Sequence, residues 1–214
     1  MSRMHHYEGE SIIVEFDLSR CIHTGDCTRG LPEVFDTHRR GRWVHPDAAD
    51  AAEVARICAA CPTGALRCID KAEGELMHAP PAQHSIQIVA DGPLYVHADM
   101  YIDDRPETAY RVALCRCGKS RLMPFCDESH REGFRNAGKV PLVMPDQAPA
   151  ADILCITTHA HGPLTIEGTF TLLDSEAHTV CQSNRASLCS CGKSNIKPYC
   201  DGSHALNDNR SESI

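Results

Sequence analysis

The sequence predicts an α+β protein: a small front module with one helix, then two β-rich modules packed as a pseudo-symmetric pair. Three observations carry this expectation. The string "CRCGKSRLMPFCDESH" at 115–130 returns as "CSCGKSNIKPYCDGSH" at 189–204, identical at 10 of 16 positions. β-branched, alternating stretches recur ahead of each copy and end at a Gly-Pro step, which reads as strand and turn. The front lacks this pattern and holds an Ala-rich run at 47–61 instead. The module boundaries are accordingly 1–78, 79–140 and 141–214.

In chain order, "SIIVEF" reads as a strand, and "DAADAAEVARICAAC" (47–61) as a helix with Val54, Ile57 and Cys58 on one stripe. "DKAEGELMHAPPAQH" (70–84) reads as the linker to the repeats. "SIQIVA" and "ILCITTHA" open the two repeat units as strands, and "LTIEGTFTLL" alternates over a full strand length. "ADGPLYVHADMYI" (90–102) matches "AHGPLTIEGTFTL" (160–172) at an offset of 160 − 90 = 70 residues, whereas the cysteine strings stand 189 − 115 = 74 apart. The extra four residues fall in "LLDSEAHTVCQSNRAS", where a surface loop takes an insertion at little cost. The Pro-rich "GKVPLVMPDQAPAA" (138–151) joins the units. Each unit spans roughly 60–70 residues, a size that benefits from a metal or a partner.

Composition narrows the function. Among 214 residues, 13 cysteines are far above ordinary usage, and nine of them form ligand-like groups. The opening "MSRMHHYEGESIIVEF" lacks the layout of a signal peptide, and no apolar run approaches the ~20 residues of a membrane helix. Grouped cysteines in a reducing compartment usually hold metal, so the expectation is a cytoplasmic metalloprotein. A net charge of −8 and a pI of about 5.9 disfavour a nucleic-acid partner and suit docking to basic patches on a redox partner. Neither G-x-G-x-x-G nor a P-loop string occurs, which argues against a self-contained dehydrogenase.

Within 189–204, Cys189 and Cys191 can face one ion or cluster edge from a tight turn, and Gly192 lets the backbone pass close by. Ser194 offers a hydroxyl near a sulfur, and Pro198 fixes the approach to Cys200. A helical turn capped by Asp201 would place Cys200 and His204 on one face, with its N-terminus favouring thiolate charge. On residue type alone Cys₃His could hold zinc, although the spacing differs from paired C-x2-C knuckles. The string satisfies C-x-C-x2-[ST]-x3-P-x-C-D-G-[STA]-H and so resembles the CDGSH iron–sulfur family, to which mitoNEET belongs. The likeness extends over about 130 residues, including the "GPL…EG" strands. It implies one [2Fe-2S] cluster held by Cys189, Cys191, Cys200 and His204, and a second held by Cys115, Cys117, Cys126 and His130.

The first copy departs where Glu128 replaces the motif glycine. A positive φ there would make glutamate costly, whereas a first-turn position would favour an acid. The added negative charge is expected to lower the reduction potential of the first site relative to the second. Replacing a thiolate by imidazole raises the potential and couples the site to protons.

At the front, Cys21 and Cys27 have the outer spacing of the C-x2-C-x2-C run, with Thr24 in the middle slot and Cys61-Pro62 as the distant ligand. With "LPEVF", "RWVHPD" and "CPTGAL", about 60 residues resemble the divergent single-cluster ferredoxins. The three cysteines Cys21, Cys27 and Cys61 suit a [3Fe-4S] cluster with the missing corner at Thr24, the alternative being a [4Fe-4S] cluster whose fourth iron takes Cys58, Thr24, His23 or water. Cys58 otherwise fills the apolar stripe of the helix.

The remaining residues read more plainly. Cys68, Cys155 and Cys181 fall outside the ligand groups, with Cys155 expected in a strand core. His5 and His6 read as part of a floppy tail, His159 and His161 as solvent-facing, and Trp43 as a packing anchor. Lys119 and Lys193 recur in both loops, where they either offset cluster charge or are simply solvated. Together these features predict a non-enzymatic electron-transfer protein with three clusters, serving an unidentified redox partner. The alternatives are cluster storage, delivery to an apo-acceptor or redox sensing, and a zinc-stapled interaction module.

Overall fold

The computed structural model describes residues 4–140 and 152–205, in two compact units, Met1–Pro80 and Pro81–Ile214. Most of the Pro-rich join lies outside the described residues.

The first unit is a three-stranded antiparallel sheet, β1 (Met4–Glu8), β2 (Ile12–Asp17) and β3 (Leu66–Asp70), in the order β1-β2-β3. Apolar side chains alternate along β2, and Ile12, Val14 and Phe16 are buried with Leu66 and Cys68 of β3. The chain between β2 and β3 carries a short helix α1 (Asp26–Gly30) and a longer one, α2 (Ala51–Ala59). α2 is shorter than the expected 47–61 because Asp50 takes the N-cap, its side chain accepting from the Ala52 N–H at 2.9 Å. Its stripe of Val54, Ile57 and Cys58 packs on the sheet as anticipated. The expected floppy tail is instead β1: His5 stacks on Phe16, and His6 lies 3.7 Å from Glu15. Trp43 is an anchor, edge-on to Phe16 and Tyr7.

The second unit is one eight-stranded sheet built from both repeats. Its strands are β4 (Ser85–Ile88), β5 (Leu94–His97), β6 (Met100–Ile102), β7 (Arg105–Pro106), β8 (Arg111–Leu114), β9 (Leu154–Thr158), β10 (Leu164–Leu173) and β11 (Thr179–Leu188). Their order is β7-β6-β9-β10-β4-β5-β8, with β11 on β10. Within each repeat the pairing is antiparallel, β4-β5-β8 in the first and β9-β10-β11 in the second. Across repeats it is parallel. Tyr101 of β6 opposes Cys155 of β9, and Thr171 of β10 opposes Ser85 of β4.

These two cross-repeat pairs are images of each other at the repeat offset, since 171 − 101 = 155 − 85 = 70. Each repeat thus lends a strand to the other. Gly168, at φ +114, lets β10 bend between its pairing with β9 and its pairing with β4, and a Cβ there would meet the Ile153 carbonyl oxygen at 2.6 Å. Ile86, Leu94, Val112, Leu154, Ile166 and Leu188 share one buried core across the repeats. Cys155, expected inside, is exposed: Leu154 and Ile156 take the inward positions of β9, so strand alternation turns the cysteine outward.

Candidate metal centres

Each cysteine loop is knotted onto the end of its strand by the same bonds. In the first, the Cys115 N–H donates to the Pro124 carbonyl at 2.7 Å and the Cys126 N–H to that of Ala113 at 2.8 Å. In the second, Cys189 donates to Pro198 at 2.7 Å and Cys200 to Ser187 at 2.8 Å. The peptides preceding Pro124 and Pro198 are cis. Ser194 serves the loop and not a sulfur, donating to the Tyr199 carbonyl at 2.6 Å, as Ser120 does to that of Phe125.

Asp127 and Asp201 act as clasps. One oxygen of each accepts from the N–H two residues on, and the other reaches back across the loop to Arg121 N or Asn195 N at 2.8–2.9 Å. For Asp127 burial opposes ionisation, but the bonds from Ser129 and Arg121 outweigh it and hold the carboxyl far below its usual range; at Asp201 the Asn195 N–H leads in the same direction. The segment after the first clasp is not an α-helical turn. Residues Ser129–Arg131 form a 3-10 turn, and Glu128 before them has φ +72, the left-handed conformation that glycine adopts freely.

The knots bring the sulfur and imidazole donors together in pairs. Cys115 and Cys117 lie 3.7 Å apart through their Sγ atoms, and Cys126 Sγ lies 3.2 Å from His130 Nδ1. The second loop repeats this: Cys189 and Cys191 at 3.7 Å, Cys200 and His204 Nδ1 at 3.3 Å. Among the described residues, no three of His, Cys, Asp or Glu gather about one ion position. Backbone N–H groups of Lys119, Glu128 and Gly202 point at Cys117, Cys126 and Cys200 from 3.4–3.5 Å. One thiol of the Cys115–Cys117 pair can donate to the other, which favours loss of one proton from the pair and, together with burial, opposes loss of the second. Burial also pushes Cys126 up to about 11 and raises Cys191. Such thiols give up their protons when a cation replaces them, which is the behaviour of a metal-ready donor set.

The two loops meet tail to tail. A Cβ on Gly192 would lie 2.5 Å from the Cys117 carbonyl oxygen, and one on Gly118 would overlap the Cys191 carbonyl oxygen. Both glycines have positive φ. Lys119 leaves this seam, its Nζ donating to the Glu132 carbonyl at 2.8 Å.

The front unit gathers its cysteines around a cavity of about 580 Å³. Cys21 reaches it from the turn after β2, Cys27 from α1, and Cys61 from the turn after α2, with His23 and Thr24 on the same wall. Burial, then the Cys61 and Cys21 thiols, push Cys27 up to about 11. Cys58 does not join them. It is fully buried and meets Cys68, whose thiol donates to the Met77 sulfur at 3.4 Å. Sequence reasoning gave Cys68 no role and missed this sulfur cluster, which forms because Val14↔Cys68 pairing turns Cys68 toward α2.

The donor sets fit iron–sulfur groups on their chemistry: thiols with an imidazole in paired form behind, and three thiols on one cavity in front. Comparisons with known proteins point the same way. A family described as "Divergent 4Fe-4S mono-cluster" matches residues 7–71, and one described as "Iron-binding zinc finger CDGSH type" matches 91–131 and 161–205. The uncharacterized protein YjdI of Escherichia coli, strain K12, is 41% identical over 61 residues, covering 28% of this chain and 79% of YjdI. YjdI of Escherichia coli O157:H7 matches to the same extent. No solved structure matches the chain.

Proposed function

Because the chain belongs to the divergent 4Fe-4S mono-cluster family over residues 7–71 and carries two CDGSH iron-binding domains behind it, we propose that this iron–sulfur protein is a non-enzymatic electron carrier. Its domains are 1–78, 79–140 and 141–214, the last two forming a pseudo-dimer. The exchanged strands and the reciprocal Gly118 and Gly192 contacts support that pairing.

One observation carries the assignment: in both rear loops the donors come as a Cys–Cys pair and a Cys–His pair. Two pairs suit two metal atoms bridged by sulfide, whereas a lone zinc asks for four donors around one point. Cys115, Cys117, Cys126 and His130 would hold one [2Fe-2S] cluster, and Cys189, Cys191, Cys200 and His204 another. Cys21, Cys27 and Cys61 would hold a [3Fe-4S] cluster. The description of the matched family favours [4Fe-4S], with a fourth donor from the Thr24 or His23 side of the cavity. When bound, such groups supply one-electron chemistry at low reorganisation. The chain's part is to fix the donors, aim N–H groups at the sulfurs and bury them.

All thirteen cysteines are free thiols, which suits a reducing, cytoplasmic setting. Among the described residues no helix is long and apolar enough to cross a membrane. The partner is a redox protein.

Iron and acid-labile sulfide analysis with EPR of anaerobically prepared protein tests this. About seven irons per chain are expected for 2 + 2 + 3, about eight for 2 + 2 + 4. A colourless protein with stoichiometric zinc sinks the proposal. A second reading, delivery of clusters to an apo-acceptor, draws on the histidine donors, His204 being the second loop's. Rapid transfer of a [2Fe-2S] unit to apo-ferredoxin would favour it.

A further inference from the structure

Between Cys115 and Cys117 the chain places an arginine that is 1% exposed. A buried cation needs partners, and Arg116 has them. Its Nε donates to the Gly92 carbonyl at 2.9 Å, Nη1 to Asn136 Oδ1 at 2.6 Å and Nη2 to the Val89 carbonyl at 2.5 Å, with the guanidinium 5.1 Å above the Phe134 ring. The repeat-related residue, Ser190, makes the corresponding anchor by donating to the Gly162 carbonyl at 2.6 Å. Gly92 and Gly162 are themselves repeat images, since 162 − 92 = 70. One anchor is therefore charged and the other neutral. As a tie for the loop, a hydroxyl suffices, so the full positive charge in the first repeat calls for a further role.

That charge sits at the seam between the two loops. The carbonyl of Cys117, the next residue, packs against Gly192 of the second loop, and Arg116 feels the charges of both Cys117 and Cys189. An arginine guanidinium keeps its charge at any physiological pH. Most other charges nearby are paired or face water, and the shielded Asp127 carboxylate is held by Arg121 and Ser129. Glu128, expected to make the first site more negative, is bound to Arg131 at 2.8 Å. Asp91, the acid that acts most strongly on Arg116, is exposed and accepts from the Asn136 N–H at 2.6 Å. Lys119 and Lys193 occur in both loops.

We propose that Arg116 is a positioning charge shared by both rear sites, stabilising an added electron on either and reducing the repulsion between two. This rests on the iron–sulfur reading of the loops. No proton moves: each site accepts one electron from a one-electron donor protein and passes one on, and the guanidinium stays charged throughout. A fixed cation in a low-dielectric seam acts more strongly than one in water, and a single chain supplies it to two sites.

Redox titration of the full-length holoprotein, followed by visible absorbance and EPR, tests this. Arg116→Gln should make both rear sites about tenfold or more harder to reduce, a downward move of about 59 mV or more per one-electron step. Arg116→Lys should restore most of the loss, which a purely structural tie would not. Asp91→Asn keeps the acceptor for Asn136 at an exposed position, and should move both midpoints upward even if Arg116→Gln does not fold. Midpoints indifferent to Arg116→Gln, or lowered by Asp91→Asn, overturn the proposal. An iron–sulfur protein with such indifferent midpoints leaves the function above standing, whereas a zinc protein removes both.

Discussion

His204 approaches Cys200 through Nδ1, so one candidate donor in four is an imidazole where the others are thiols. His204→Cys is expected to lower the midpoint of that site and let its colour survive to lower pH, as absorbance across a pH series will record. A different histidine bears on the stability of the apoprotein. Burial, then Arg111 and His84, depress His97 below the ordinary imidazole value. The unfolded chain therefore binds that proton more readily, and stability falls as pH drops through about 6.5. Urea unfolding of the apoprotein between pH 7.5 and 5 should show this slope, and His97→Gln should flatten it. Residue identities gave every sulfur now found in the paired donors, because ligand chemistry tolerates few residue types. They did not give Arg116, since nothing in a C-x-C string says whether the middle side chain turns inward. Cys155 failed for a similar reason: an apolar strand shows its period, but not which phase faces the core.

At the level of elements, most strands with clear alternation were legible, and those without it were not. β1 and β3 carry histidines, arginine and aspartate that mask their pattern, and both are strands because β2 supplies the pairing between them. The turn after Asp201 was expected to be α-helical, but residues 203–205 form a 3-10 turn, as Ser129–Arg131 do in the first loop. Asp50→Ala should cost α2 about 1 kcal/mol, seen as a lower melting temperature with the rear sites unchanged. Gly118→Ala and Gly192→Ala each add a methyl against a carbonyl of the opposite loop, at a positive φ that alone costs about 1–2 kcal/mol. Gly202→Ala meets open space at a similar φ and should cost less. Denaturant midpoints of the three variants will rank them, and equal losses would contradict the seam.

Across the second unit, the repeat was visible in the sequence and the exchange of strands was not. Local pattern cannot reveal that β10 exchanges β9 for β4 of the other repeat after Gly168, while keeping β11 on its other edge. One consequence is directly measurable. Thr171→Pro deletes the N–H that donates to the His84 carbonyl at 2.9 Å, a bond between repeats. The loss should reach the first site as well as the second, with iron content falling at both; a defect confined to the second would mean the repeats stand independently.

The reciprocal glycine contacts also limit how the two halves can diverge over time. Where each loop's backbone fills the space that the other leaves vacant, any bulkier replacement in one copy needs a compensating change in its twin. Mutation is freer where a side chain ties back into its own repeat, as Arg116 and its counterpart Ser190 do through Gly92 and Gly162. After duplication, then, such a molecule can specialise through charge long before it can specialise through shape.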